Sequence, residues 1–143
     1  MTPQQFAEQA LADRSRCGIY RCMPGWPGET PETLWRPLAP QSIDREGLLA
    51  ALGQALDFPD YYGQNWDAAW DCLTELDWPA DRLLAVRLPT ATGSDVDEAA
   101  LETFLELLAD ACQHWAEQDR ALCLLVETAR EDIGCLGALP VLA

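Results

Sequence analysis

Between Phe58 and Leu73 the chain reads FPDYYGQNWDAAWDCL, a stretch that holds two tyrosines, two tryptophans and three aspartates. A hydrophobic core does not accept the acids, because a carboxylate taken out of water must be paired. A merely solvated surface has no use for the rings. Acids bordered by large aromatics are the composition of a protein-recognition patch, in which rings exclude water and strengthen the ion pairs they surround.

The spacing predicts how the segment is displayed. Asn65 is a good N-cap for a helix from Trp66 to about Leu76, and Gly63 permits a tight approach from the Tyr61-Tyr62 turn. At about 100° per residue, Ala69, Cys72, Leu73 and Leu76 converge on one side, which faces the core. Asp67, Asp71, Thr74 and Glu75 fall on the other side, with Trp66 and Trp70 along the flank between them. Asp67 stands in the first turn, where the helix dipole favours a carboxylate. Asp71 gains less from the dipole and is repelled by Asp67 four residues earlier, by a few tenths of a kcal/mol. Its placement asks for a cation from outside.

Catalysis is a poor use of these residues. Proton transfer near neutral pH needs a poised group, and the chain has one histidine and no recognisable nucleophile motif. Cys112 and His114 are two apart, and on a helix they point about 200° away from each other. Asp67 and Asp71 could serve as the acid pair of a hydrolase or as Mg²⁺ ligands, but one helix supplies both with no third ligand and no opposing wall. No metal or cofactor is indicated, and the chain is read as a non-enzyme. The six cysteines, Cys17, Cys22, Cys72, Cys112, Cys123 and Cys135, include no C-x-x-C pair. They are expected to be free thiols.

The elements that must position the segment are legible from periodicity. Thr2-Pro3 reads as an N-cap followed by proline at the first helical position, with Phe6, Ala7, Ala10 and Leu11 giving a helical stripe to about Arg14. GIYRC (18–22) is strand-like, and PGWPGETP (24–31) is a turn-rich connection. TLWRPLA (33–39) is a second possible strand, which Pro37 pushes to a sheet edge or a strand end. From a Ser42 cap, Leu48, Leu49, Leu52, Ala55 and Leu56 mark a helix that stops before Phe58-Pro59. RLLAVRLP (82–89) and ALCLLVE (121–127) are short runs apolar on both faces, and a long helix spans Asp95 to Glu117 between them. Such strands separated by helices predict a parallel sheet in an α/β domain.

Length and charge narrow the role. A chain of 143 residues is one domain by default and can bury roughly 70% of its unfolded surface. Twenty-four acids stand against nine arginines and no lysine, for a net charge of −15. That field repels phosphate backbones and anionic lipid and attracts basic surfaces, so neither nucleic acid nor membrane is expected as a partner. The first residues carry no basic, apolar leader and no run is long enough to span a bilayer, which predicts a cytoplasmic protein.

PDYYGQNWDAAWDCL resembles the signature of barstar and the barstar-related inhibitors of secreted ribonucleases, with Tyr-Gly, Asn, Asp and Trp-Asp-Cys-Leu in the same order and spacing. The likeness is strong from about Ser42 to Leu76 and looser through the following strand, long helix and last strand. It implies an α/β fold with a small three-stranded parallel sheet packed with helices, here with an N-terminal helix/strand extension. On this basis the chain divides into an extension at 1–40, a core at 41–127 and a tail at 128–143 within a single domain. The resemblance also implies that Tyr61, Asn65, Asp67, Trp70, Asp71 and Thr74 lie on the loop and helix that plug a ribonuclease active site. Glu75, an acid where the family's best-known member has glycine, extends that set. Asp71 would be the principal phosphate mimic. Gln64, Trp66 and Ala69 are further departures, and the position from which the family's last long helix supplies an acid falls near His114. The expected partner is therefore a basic ribonuclease or ribonuclease toxin domain, bound by a protein that is monomeric when free. The alternative is an acidic interaction module for some other basic protein.

Overall fold

The computed structural model describes residues 1–59, 61–90 and 95–142. Helix α1 (Pro3–Ala12) is followed by strands β1 (Ile19–Cys22) and β2 (Thr33–Pro37), helices α2 (Arg45–Ala55) and α3 (Trp66–Thr74), strand β3 (Leu83–Pro89), helix α4 (Glu98–Glu117), and strands β4 (Ala121–Glu127) and β5 (Val141–Leu142). The strands form one parallel sheet in the order β2-β3-β4-β1-β5. Five strands replace the three that the family resemblance implied. β1 pairs beyond β4, and β5 pairs beyond β1 through only two residues, Arg21 with Val141 and Cys22 with Leu142. The reason is physical: β4 is buried along nearly its whole length, and both of its edges need partners for their backbone groups. β2 lies at the sheet's edge and ends at Pro37, where a missing N–H does least harm.

The central strands alternate between two cores. Leu84, Val86, Leu88, Leu122, Leu124 and Val126 face α2, α3 and α4, among Leu48, Leu52, Leu73, Leu101, Phe104 and Leu108. Leu83, Ala85, Ala121, Cys123 and Leu125 face the opposite way, against Phe6, Ala7 and Ala10 of α1. Phe6 sits edge-on to Tyr20 with ring centroids 5.1 Å apart. Arg14 fastens α1 down: its guanidinium donates to the carbonyls of Ala10 and Leu11 and, 2.9 Å away, of Ala80, and lies 3.5 Å from the Asp119 carboxylate.

Local chemistry moves several boundaries from their expected places. Thr2 caps α1 as a full capping box with Gln5, but the helix stops at Ala12 because Asp13 takes an extended backbone and caps a 3₁₀ turn, Arg14–Arg16. The cap of α2 is Asp44 rather than Ser42, its carboxylate accepting from the Gly47 N–H at 2.8 Å; Ser42 instead donates its hydroxyl to Asp44. Asp97 caps α4, which begins three residues later than the apolar pattern alone suggested.

Tyr62 ties the loop before α3 to α2. Its ring lies so close over Gly53 that a Cβ there would come within 2.8 Å of it, and its hydroxyl donates to the Leu49 carbonyl at 3.1 Å. Phe58 meets it edge-on at 5.0 Å. Burial pushes its hydroxyl pKa up to about 12.

Two outcomes follow from this packing. Phe6 is 5% exposed, so Phe6→Ala should cost about 3–5 kcal/mol. Met23→Ala, at a side chain 56% exposed, should stay within about 0.5 kcal/mol, and denaturant unfolding of both variants checks the contrast. For Tyr62 the folded chain favours the neutral phenol, so its contribution is intact below the usual tyrosine pKa of about 10 and is lost as pH rises through about 12. Tyr62→Phe should be less stable at neutral pH, having lost a hydrogen bond, and should lose less on alkaline titration. Melting temperature against pH for the two proteins measures both effects.

Candidate functional site

Helix α3 is built as the spacing predicts, and it ends at Thr74, two residues short of Leu76. Asn65 takes an extended backbone and its side-chain oxygen accepts from the Ala68 N–H at 2.8 Å. The left-handed residue before it is Gln64, with φ of 49°, and not Gly63. Gly63 serves instead as a place of close approach, since a Cβ there would stand 3.3 Å from the Asn65 amide nitrogen. Ala69, Cys72 and Leu73 are buried against the core, while Trp66 and Trp70 are half-buried on its margin.

Asp67, Asp71 and Glu75 are exposed in a row along the outer face, one turn apart. The ion pairs of the described residues are Arg14 with Asp119, Arg16 with Asp13, Arg87 with Glu127 and Arg130 with Asp132. None lies on α3, so no arginine among the described residues neutralises the row. Asp67 in the first turn gains from the helix dipole, whereas Glu75, the C-cap, stands at the end where the dipole disfavours an anion. The row therefore costs the isolated chain some repulsion that nothing within α3 relieves.

Its surroundings divide into anchored and free groups. Tyr61 is 76% exposed, and its hydroxyl reaches Glu75 at 3.4 Å; the negative charge of Glu75 raises the Tyr61 pKa. Tyr62, its neighbour, is committed to α2. Thr74 is half-buried and donates its hydroxyl to the Asp71 carbonyl at 3.0 Å. Asp60, the first of the segment's three aspartates, lies outside the described residues. Tyr61, Asn65, Asp67, Trp70, Asp71, Thr74 and Glu75 thus belong to one loop and one helix. Side-chain contacts bind only some of them to each other.

Helix α4 braces this platform. The Trp115 indole N–H donates to the Leu73 carbonyl at 2.9 Å, and the ring stacks edge-on with Trp78 at 4.9 Å. His114 lies between Trp115 and Trp70, with centroids 5.2 and 5.9 Å away. Helix α4 thus places an imidazole, not a carboxylate, beside the flank of α3. Nothing in the spacing pointed to this contact, because residues 70 and 114 meet only through the packing of α3 on α4. Cys112 is buried on the core side while His114 is half-buried at the rim. The described residues contain no group of three or more His, Cys, Asp or Glu side chains that could hold a metal ion. Among them no helix is long and apolar enough to cross a membrane.

Parts of the chain match known proteins in sequence. Twenty-three residues of the chain are 74% identical to YrdF of Bacillus subtilis (strain 168), whose name provisionally calls it a ribonuclease inhibitor. That match covers 16% of this chain and 25% of the length of YrdF. Residues 40–127, which run from the approach to α2 through the acid row of α3 to the end of β4, match the barstar (barnase inhibitor) family. That family is one of inhibitors rather than enzymes. With most of its length matched, including the whole of the acidic, aromatic-flanked helix, the chain belongs to the barstar family.

Proposed function

We propose that the chain inhibits a basic ribonuclease, or the ribonuclease domain of a toxin, by seating α3 and the preceding loop in the nuclease active site. The observation that carries this reading is the row Asp67, Asp71 and Glu75, exposed and without a cation of its own. Family membership supports it. A ribonuclease cleft presents cations that hold the RNA phosphates, and a carboxylate row set on a rigid helix is complementary to them. Asp71, at the middle of the row, is the principal phosphate mimic. Tyr61 and Trp70 flank it as rings that exclude water, and Asn65, Asp67, Thr74 and Glu75 complete the contact. The whole chain acts as one unit, monomeric when free, in the cytoplasm. It has no affinity for RNA itself, because a net charge of −15 repels phosphate.

Two experiments test the reading. Opposed net charges steer association, so the on-rate toward a basic nuclease such as barnase should be high and should fall as the Debye length shrinks from about 10 Å at 0.1 M salt to about 3 Å at 1 M. An on-rate indifferent to salt would remove the steering argument. The second experiment is substitution at Asp71. Losing this carboxylate leaves the nuclease's cations buried and unpaired, at a cost of about 2–5 kcal/mol or more in binding, a range drawn in part from barstar itself. Asp71→Ala should dissociate faster and inhibit poorly while folding as well as the parent or slightly better, since one like-charge contact is relieved. Asp71→Asn, equal in shape, should fail nearly as badly. Glu8→Ala, an exposed acid on α1, should be neutral. Equal small effects at Asp71 and Glu8 would sink the phosphate-mimic reading. Tight binding to a basic protein without nuclease activity would favour the acidic interaction module instead.

A further inference from the structure

All six cysteines are free thiols, but two of them are not alone. Strand β1 runs parallel to β4 with Ile19 opposite Leu124, and the Leu124 N–H donates to the Gly18 carbonyl at 3.0 Å. Gly18 therefore lies alongside Cys123, and Cys17 is one residue back. With strands about 4.8 Å apart and a rise of about 3.3 Å per residue, the diagonal between their Cα atoms is about 6 Å. That falls inside the span of about 4.4–6.8 Å that a disulfide bridges. Both side chains turn to the α1 side of the sheet and pack in the same cluster. Cys17 packs against the cluster that buries Cys123, close enough for each thiol to shift the other's pKa. Cys123 is fully buried, whereas Cys17, the residue that ends the 3₁₀ turn, is only partly covered and reaches the Ala10 carbonyl with its sulfur at 3.8 Å.

The two thiols also differ in character. The neighbouring Cys123 thiol holds the Cys17 pKa below that of an ordinary thiol, and the Arg14 guanidinium adds to the effect against the opposing burial and the Asp13 carboxylate. Cys123 moves the other way, raised by the neighbouring Cys17 thiol and by burial. The remaining four, Cys22, Cys72, Cys112 and Cys135, are each raised chiefly by burial. The thiolate is the nucleophile in oxidation chemistry, and reactivity requires access as well as thiolate character. Cys17 alone combines a lowered thiol with partial exposure and a second thiol nearby.

We propose that Cys17 and Cys123 are a peroxide-oxidisable pair that closes to an intramolecular disulfide, fastening the N-terminal segment to the central strand β4. The Cys17 thiolate attacks one oxygen of hydrogen peroxide, breaking the O–O bond. This leaves Cys17 as a sulfenic acid, and the expelled hydroxide takes up the thiol proton as water. The Cys123 sulfur then attacks the sulfenic sulfur. The S–S bond forms, the S–O bond breaks, and the Cys123 proton leaves with the departing hydroxide as a second water. Two thiols are oxidised and one peroxide is reduced. The site lies on the sheet face opposite α3, so the proposal is independent of the inhibitor reading. The disulfide would close a loop running from residue 17 to residue 123, which constrains the unfolded chain and so favours the folded one.

The test uses the full chain with hydrogen peroxide as the oxidant. Trypsin cuts after Arg16, Arg21, Arg120 and Arg130, which isolates Cys17 in CGIYR and Cys123 in ALCLLVETAR, each as the sole cysteine of its peptide. After peroxide treatment and blocking of the remaining thiols, two of the six thiols should be lost. The non-reduced digest should contain CGIYR joined to ALCLLVETAR, and dithiothreitol should release the two peptides. Oxidation should raise the melting temperature of the wild-type chain and leave that of Cys17→Ser unmoved. Cys123→Ala should likewise form no linked peptide; because that position is buried, Cys17→Ser at the rim keeps the test independent of any folding defect. Oxidation of Cys17 to a sulfinic acid with no linked peptide would overturn the proposal. So would loss of thiols at Cys72 or Cys135 first, or a thiol count that stays at six.

Discussion

The structure depends on one constraint: β3 and β4 are apolar on both faces, so the sheet they form must be covered from both sides. Leu84, Val86, Leu88, Leu122, Leu124 and Val126 need one layer, and Leu83, Ala85, Ala121, Cys123 and Leu125 need another. Three helices supply the first layer. The second comes from α1 together with Tyr20, Trp26 and Trp35, all drawn from the first thirty-seven residues. Apolar burial stabilises by roughly 25 cal/mol per Å² removed from water, so a bare second face would forfeit a large part of the core. The N-terminal segment is therefore structural, and Arg14 records the dependence in hydrogen bonds to both the α1 carbonyl of Ala10 and the Ala80 carbonyl.

Covering the first face also decides what α3 can display. Ala69, Cys72 and Leu73 are consumed by the core, so the residues between them are turned outward. Trp115 holds the Leu73 carbonyl, and Trp70 leans on His114, so the helix is fixed from α4 as well as from beneath. Tyr62 fixes the preceding loop to α2 through the gap that Gly53 leaves. The acid row thus stands on a platform held from three directions. A charged surface that repels itself can be sustained there because the buried side of the same helix offsets a few tenths of a kcal/mol per like-charged pair.

The two faces of the sheet carry different chemistry. The acid row, flanked by Trp66 and Trp70, stands on α3 on one face. The paired thiols lie on the other, where β1 meets β4 under α1. The central strands separate them, with alternate residues of β4 belonging to each side. Leu124 packs toward the helices that carry the acids, while its neighbour Cys123 shares the opposite cluster with Cys17.

Local sequence determined a good deal here. The period of apolar residues marked α2, α3 and α4, continuous apolar runs marked β3 and β4, Asn65 marked the start of α3, and Pro37 marked an edge. Each depends on interactions within a few residues, which is why composition and spacing reveal it. The outward placement of Asp67, Asp71 and Glu75 follows from helical geometry alone. Tertiary structure decided the rest. β5 is two residues long and has no pattern of its own; it exists because β1 offers an open edge. Asp44 displaced Ser42 as a cap because the helix began where the backbone could turn beneath it. Tyr61 and Tyr62 are adjacent and chemically alike, yet one is exposed and the other anchored on α2, since only one meets Gly53. The contact of Trp70 with His114 and the shared cluster of Cys17 and Cys123 join residues 44 and 106 positions apart. Such pairs have no signature in a single sequence, because their partners are chosen by the packing of whole elements on a sheet and not by their neighbours in the chain.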